Sequence, residues 1–228
     1  MSALRAVAVG LLMASLVMAG TPESGRQYQP EAGDIIIFQG WRLCQRPLRT
    51  LAQRPVQRLA TGGSNYLHVG LIVVDDRHRL KLLEADRTEG VQLRSPLAYM
   101  DNWQSGYGQV WVRCRQQPLT DQESEALTEF ALNHQGEPYA RLGEVANYLF
   151  AAPLVEELPS LTEPFDQGAE SQRWFCSKLV VEALRSADLI SPFASGAGSA
   201  PKHLVNETFG LYPDWDLPYR WTSDRQAR

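Results

Sequence analysis

Residues 174–184 constrain the fold more than any other part of this 228-residue chain. Apolar residues at positions 175, 179, 180, 183 and 184 recur at three- and four-residue spacing, which predicts a helix with one buried face. Cys176 falls in its first turn, where unpaired N–H groups and the helix dipole favour a thiolate. A small buried core residue is the alternative, because free cysteines are among the most buried residues.

The first 20 residues have the pattern of an export signal. Arg5 precedes an uncharged run, residues 6–20, that is shorter than the roughly 20 apolar residues a membrane-spanning helix needs. Ala19 and Gly20 offer small residues for cleavage, and no lipid attachment site is expected. We expect residues 21–228 to form a single domain, exported to the periplasm or cell envelope and without a stable membrane anchor. An uncleaved anchor is the alternative.

Composition and the spacing of Cys and His bear on which binding partners, disulfides and metals to expect. The formal charge of −4 is too small to indicate a nucleic-acid partner. Three cysteines leave an odd thiol in an exported chain: either Cys44 and Cys114 pair, or no cysteine pairs, and Cys176 stays free. The four histidines are scattered without ligand spacing, so we expect no metal and no cofactor.

Short apolar runs predict the strands of a sheet. Residues 33–38 read as a turn followed by a buried β-branched strand. Residues 68–74 and 80–85 form a predicted hairpin with its turn at 75–79, and residues 108–115 alternate as a further strand.

The hairpin is expected to bring an imidazole and a carboxylate together. If the chain turns near Asp76, His68 lies opposite Glu84 on the same face, with Cβ atoms about 5 Å apart. A one-residue change of register would separate them. A carboxylate beside an imidazole fixes its tautomer and holds its proton, whereas His68 alone would be a hydrogen-bonded structural histidine.

Helices and loops follow in the second half of the chain. Thr120 and Glu123 have the spacing of a capping box and predict a helix through His134. A turn at residues 136–139 then presents the hydroxyl of Tyr139. Residues 143–152 look helical. Residues 153–172 are rich in Pro, Glu and Asp, which predicts a mobile loop covering a cleft.

The order of these pieces resembles the circularly permuted branch of the NlpC/P60 papain-like cysteine hydrolases, the YiiX/YebB-like family. In chain order the matching motifs are Gly33-Asp34, His68-Val69-Gly70, Glu84-Ala85, Gly136-Glu137-Pro138-Tyr139 and Cys176-Ser177. The unpermuted members carry the last two first. The resemblance spans residues 31 to about 205. It implies an α+β fold in which a small, barrel-like antiparallel sheet packs against helices, the cysteine helix among them.

The same resemblance implies a role for each residue. Cys176 would be the nucleophile, His68 its base, Glu84 the group that orients His68, and Tyr139 a candidate oxyanion donor. The expected activity is that of an exported cysteine hydrolase, an amidase or peptidase that cleaves peptide or peptidoglycan-type amide bonds through a thioester. Two alternatives stay open. One is a lipid-directed acyl hydrolase or acyltransferase of the lecithin–retinol acyltransferase-like type, and the other is a catalytically silent binding module.

Overall fold

The computed structural model describes residues 28–40, 64–140, 173–196 and 199–223. The export signal, the helical residues 143–152 and the loop 153–172 predicted above lie outside the described residues. The strands are β1 Ile35–Gly40, β2 Tyr66–Val74, β3 Leu80–Asp86, β4 Gly90–Arg94, β5 Gly108–Arg113 and β6 Tyr219–Trp221. The helices are α1 Pro96–Gly106, α2 Asp121–His134, α3 Cys176–Ser186 and α4 Pro201–Val205, followed by a 3₁₀ turn at Glu207–Phe209.

The strands form one antiparallel sheet in the order β4-β3-β2-β1-β5-β6. The predictions of an α+β protein and of neighbouring strands β1 and β2 are confirmed. The barrel-like closure expected above is wrong, because among the described residues β4 and β6 are the two edges of an open sheet. The edge of β4 is occupied instead by the turn after α2: Val91 donates its N–H to the Glu137 carbonyl at 2.9 Å, and Gly136 donates to the Val91 carbonyl at 2.9 Å.

The sheet is covered on both faces, which explains the continuous apolar run of β1. Ile35 and Ile37 face a core shared with α2, α3 and α4. Ile36 and Phe38 face a second core shared with α1 and β6. All four side chains are fully buried, and each contributes about 1.5–3 kcal/mol of transfer free energy. A strand buried on both faces cannot show polar alternation.

The β2–β3 hairpin turns one residue later than predicted. Val74 pairs with Leu80, so the loop is centred on Arg77. Its geometry is set by Asp75, whose Oδ1 accepts the N–H groups of Arg77 and Arg79 at 2.9 Å each.

This register changes the expected pairing of the two site residues. Leu71 pairs with Leu83, and continuing the register by one residue puts Glu84 beside Gly70 rather than His68. The prediction that His68 and Glu84 are directly opposed is therefore wrong. Because the displacement is two positions and side chains alternate with a period of two, both residues still lie on one face as diagonal neighbours.

Helix α3 packs across the sheet as predicted. It begins at Cys176, with Phe175 in extended conformation as its N-cap. Its buried residues include Leu179, Val180 and Leu184, all fully buried. The predicted capping box of α2 is also confirmed: Glu123 donates its N–H to Thr120 Oγ1 at 3.2 Å, and Thr120 donates its N–H to Glu123 Oε2 at 2.7 Å. No helix among the described residues is long and apolar enough to span a bilayer.

Candidate active site

Cys176 is the first helical residue of α3, and 6% of it is exposed. The next residue fixes the start of the helix, because the buried Ser177 donates its hydroxyl to the Ser199 carbonyl at 2.8 Å. The first turn is thereby tied to the segment that leads into α4. The thiol sits where N–H groups point out of the helix and the dipole favours negative charge.

His68 joins the thiol to the buried carboxylate. Its Nε2 lies 2.6 Å from Glu84 Oε2, and Cys176 is near enough to act electrostatically on its ring. As an imidazolium, His68 donates its Nε2–H to the carboxylate. The structure therefore brings together Cys176, His68 and Glu84, three residues singled out from the sequence.

The environment of His68 favours its charged form. Burial lowers the pKa, but interaction with Cys176, followed by the hydrogen bond and charge of Glu84, outweighs burial and raises the pKa of His68 to about 10. The imidazolium is thus the form present at neutral pH.

Glu84 is fully buried and has two side chains at hydrogen-bond distance. His68 Nε2 lies 2.6 Å from its Oε2, and Arg94 donates its Nε–H to Oε1 at 2.6 Å. Burial raises the pKa of Glu84, but its interactions with His68, followed by those with Arg94 and Tyr99, outweigh burial and lower the pKa. Glu84 is therefore a carboxylate at neutral pH despite its burial.

Tyr139 is held beside the segment that leads into α3. Its backbone forms a parallel bridge with Trp174, in which Ala140 donates to the Trp174 carbonyl at 2.8 Å and Trp174 donates to the Pro138 carbonyl at 3.1 Å. Burial, followed by the charge of Cys176, raises the pKa of the Tyr139 phenol. The phenol is therefore protonated at neutral pH and can donate a hydrogen bond. The charge of Cys176 acts on it.

Aromatic rings on the face of the sheet that α1 covers pack around His68. Its ring centroid lies 5.4 Å from that of Phe38, and 6.2 Å from that of Trp103 in a stacked arrangement. Cys176, by contrast, packs within the core beneath α2, α3 and α4. The site thus joins the two faces of the sheet.

Three neighbours of the site were missed by sequence reasoning: Arg94, Tyr99 and Trp103. They lie on β4 and α1, two elements that the sequence analysis left unassigned. The signals were present, since Gly90 precedes an alternation of apolar and polar residues and Pro96 marks a first helical position.

Two other residues singled out from the sequence lie outside this constellation. Asp34 fixes the start of β1: its carboxylate accepts the Arg115 N–H at 2.9 Å and the Tyr28 hydroxyl at 2.8 Å. Cys114 is a free thiol whose Sγ lies 3.4 Å from the Tyr219 hydroxyl. Its possible partner Cys44 lies outside the described residues.

The fold and site together define an α+β protein with a buried Cys–His–Glu constellation. No protein-family model matches the sequence, and no curated protein is detectably similar to it. A solved structure that matches is that of the metalloprotein YiiX from Escherichia coli O157:H7, at 19% identity and a TM-score of 0.45, covering 87% of this chain and 91% of that one. A likeness of this strength carries no inference about the site. Within the described ranges, no group of three or more His, Cys, Asp or Glu side chains is arranged to hold a metal ion.

Proposed function

We propose that the protein is an exported cysteine hydrolase of the permuted NlpC/P60 papain-like type, which cleaves an amide bond in peptide or peptidoglycan-type material of the cell envelope. One observation carries the proposal: His68 lies 2.6 Å from Glu84 and interacts with Cys176 at the start of α3. A nucleophile beside a base, with the base oriented by a carboxylate, is the arrangement that acyl transfer requires.

The first step is acylation of Cys176. The thiolate attacks the carbonyl carbon of the scissile amide and forms a C–S bond, while the carbonyl electron pair moves onto oxygen. The oxyanion then collapses, the C–N bond breaks, and His68 gives its proton to the leaving amine. An acyl thioester and a neutral imidazole remain.

The second step releases the acyl group. His68 takes a proton from a water molecule as its oxygen attacks the thioester carbon, and the C–S bond breaks with the electron pair returning to sulfur. The products are a carboxylic acid and the original thiolate–imidazolium pair. Tyr139 and the Cys176 backbone N–H are the proposed donors to the oxyanion in both steps.

The energetics of Glu84 favour a catalytic role over a silent binding module. A buried, ionised carboxylate and its cationic partners carry a desolvation penalty, and apolar residues of similar volume often serve stability as well or better. Glu84 is fully buried and bonds to both His68 and Arg94. A role in holding the His68 proton during catalysis accounts for this arrangement.

The test is to incubate the purified protein with muropeptides and, separately, with acyl lipids, and to identify products by mass spectrometry. Wild type is compared with Cys176→Ala and with the matched variant Cys114→Ala. We expect muropeptide cleavage by wild type and by Cys114→Ala, and none by Cys176→Ala.

The other outcomes contradict the proposal. Turnover of acyl lipids in place of muropeptides would assign a lipid-directed acyl hydrolase or acyltransferase that uses the same thioester chemistry. Cleavage that survives in Cys176→Ala would remove the nucleophile assignment. No product in either arm, with tight binding of muropeptides, would indicate a binding module.

A further inference from the structure

We infer that Arg94 is a positioning residue, which keeps the Glu84 carboxylate aimed at His68 and thereby determines how firmly the imidazolium is held. The inference rests on the proposed function, but its test does not require a substrate. Arg94 acts on His68 through Glu84.

The two carboxylate oxygens of Glu84 have separate partners. Oε2 lies 2.6 Å from His68 Nε2, and Oε1 accepts the Nε–H of Arg94 at the same distance. Because rotation of the carboxyl group would break both short contacts at once, Arg94 fixes the orientation in which Oε2 meets the imidazole.

Arginine suits this position in a way that lysine does not. Arg94 donates Nε–H to Glu84 and, from the same planar group, Nη2–H to Glu89 Oε2 at 2.6 Å. Its guanidinium carbon also lies 5.8 Å from the centre of the Tyr99 ring. A lysine ammonium is a single point charge on a flexible stem and cannot reproduce a two-pronged contact of fixed geometry.

The charged and titratable groups that face this network are His68 and Glu84 of the hairpin, Arg94 of β4, Tyr99 of α1, Cys176 of α3, and Glu89 and Asp86 beside the arginine. Without Arg94 the Glu84 carboxyl group can rotate away from the imidazole. The 2.6 Å contact with His68 is then lost, and the pKa of His68 falls.

The experiment measures the pKa of His68 by nuclear magnetic resonance of ¹⁵N-labelled histidine, with His68→Gln to assign the signal. Arg94→Met should lower this pKa by about one pH unit or more, the usual effect of a charge at contact distance. Arg94→Lys should lower it less, because the charge is kept.

Arg79→Met is the matched control. Arg79 also pairs with a buried carboxylate, with Nη2 2.7 Å from Asp75 Oδ2, but at the turn of the same hairpin. Asp75 lies seven residues from His68, roughly 20 Å along an extended strand. We expect Arg79→Met to lower the melting temperature and leave the pKa of His68 unchanged.

Two results would overturn the inference: a wild-type pKa of His68 in both Arg94→Met and Arg94→Lys, or an equal shift in Arg79→Met. Arg94→Lys carries the test if Arg94→Met does not fold. Failure of the proposed function is seen separately, because it appears in the product assay, as cleavage by Cys176→Ala, turnover of acyl lipids alone or no product, and not in the titration of His68.

Discussion

The protonation of His68 is a property of the site that follows directly from its contacts. The four histidines of the chain have an ordinary pKa near 6.5 in water. Contact with Cys176 and Glu84 raises the pKa of His68 to about 10 although burial opposes the change. We therefore predict that His68 stays protonated throughout the physiological range.

This change has a definite sign in folding stability. A group whose pKa is raised by folding, from 6.5 to about 10, stabilises the folded state fully below pH 6.5, and the contribution is lost as the pH rises through 10. Urea unfolding of wild type should therefore show a loss of stability as the pH rises towards 10 that is absent from His68→Gln.

Nuclear magnetic resonance of ¹⁵N-labelled histidine provides the direct assay. One imidazole should remain protonated above pH 9, and its signal should be missing from His68→Gln. In Glu84→Gln the same signal should titrate at a lower pH, because an amide cannot balance the positive charge. If all histidine signals titrate between pH 6 and 7 in wild type, the contacts described here do not hold the proton and the reasoning fails.

Two further predictions concern the turn that carries Tyr139. Tyr139→Phe should lower kcat by about 10²–10³ through loss of one oxyanion donor, with the alkylation rate of Cys176 unchanged; a wild-type kcat would remove Tyr139 from the mechanism. Gly90→Ala should lower the free energy of unfolding by about 1–3 kcal/mol, measured by urea unfolding, because Gly90 has φ 76° and an added Cβ would collide with the Glu137 carbonyl. Gly106→Ala is its control and should be near neutral, since no atom lies within 4 Å of an added Cβ there; equal losses in both variants would contradict the argument.

Periodicity predicted the parts of the fold that depend on burial. The β-branched run of β1 and the helical spacing of α3 each required an apolar surface on the observed side, and Leu179 and Val180 are fully buried where that spacing expects them. The capping box at Thr120 and Glu123 is a local signal, and it was also read correctly. Each of these features is decided by neighbours within a few residues along the chain.

The register of the β2–β3 hairpin depends on side-chain hydrogen bonds in its loop, which the spacing of apolar residues does not reveal. The hairpin is centred on Arg77 because the Asp75 side chain accepts two backbone N–H groups of the loop. An alternation of apolar residues fixes which face a side chain takes, but not which residue stands opposite it. His68 and Glu84 were therefore assigned to the correct face and to the wrong pairing.

The outer partners of Glu84 were missed for a different reason. Arg94 ends the five-residue strand β4, and Tyr99 lies in the following helix, so neither shows the long apolar pattern that reveals an element. Their contacts with Glu84 depend on the order of strands in the sheet, since β4 is next to β3. The expected barrel failed for a related reason: pairing at the edge of β4 is made by the turn at Gly136 and Glu137.

Two kinds of structure assemble the site: strand pairing within the sheet, and the packing of helix α3 against it. His68 and Glu84 belong to one hairpin, so their contact is set by local strand pairing and by Arg94 on the adjacent strand. Cys176 is brought to them by the packing of α3 against β2 and β3. The core that contains Cys176 lies on the opposite face of the sheet from the aromatic neighbours of His68. Opening of α3 alone would separate the thiol from an otherwise intact imidazole–carboxylate pair. The nucleophile is therefore the part of the site whose geometry depends most on tertiary packing, whereas the base is held by the sheet itself.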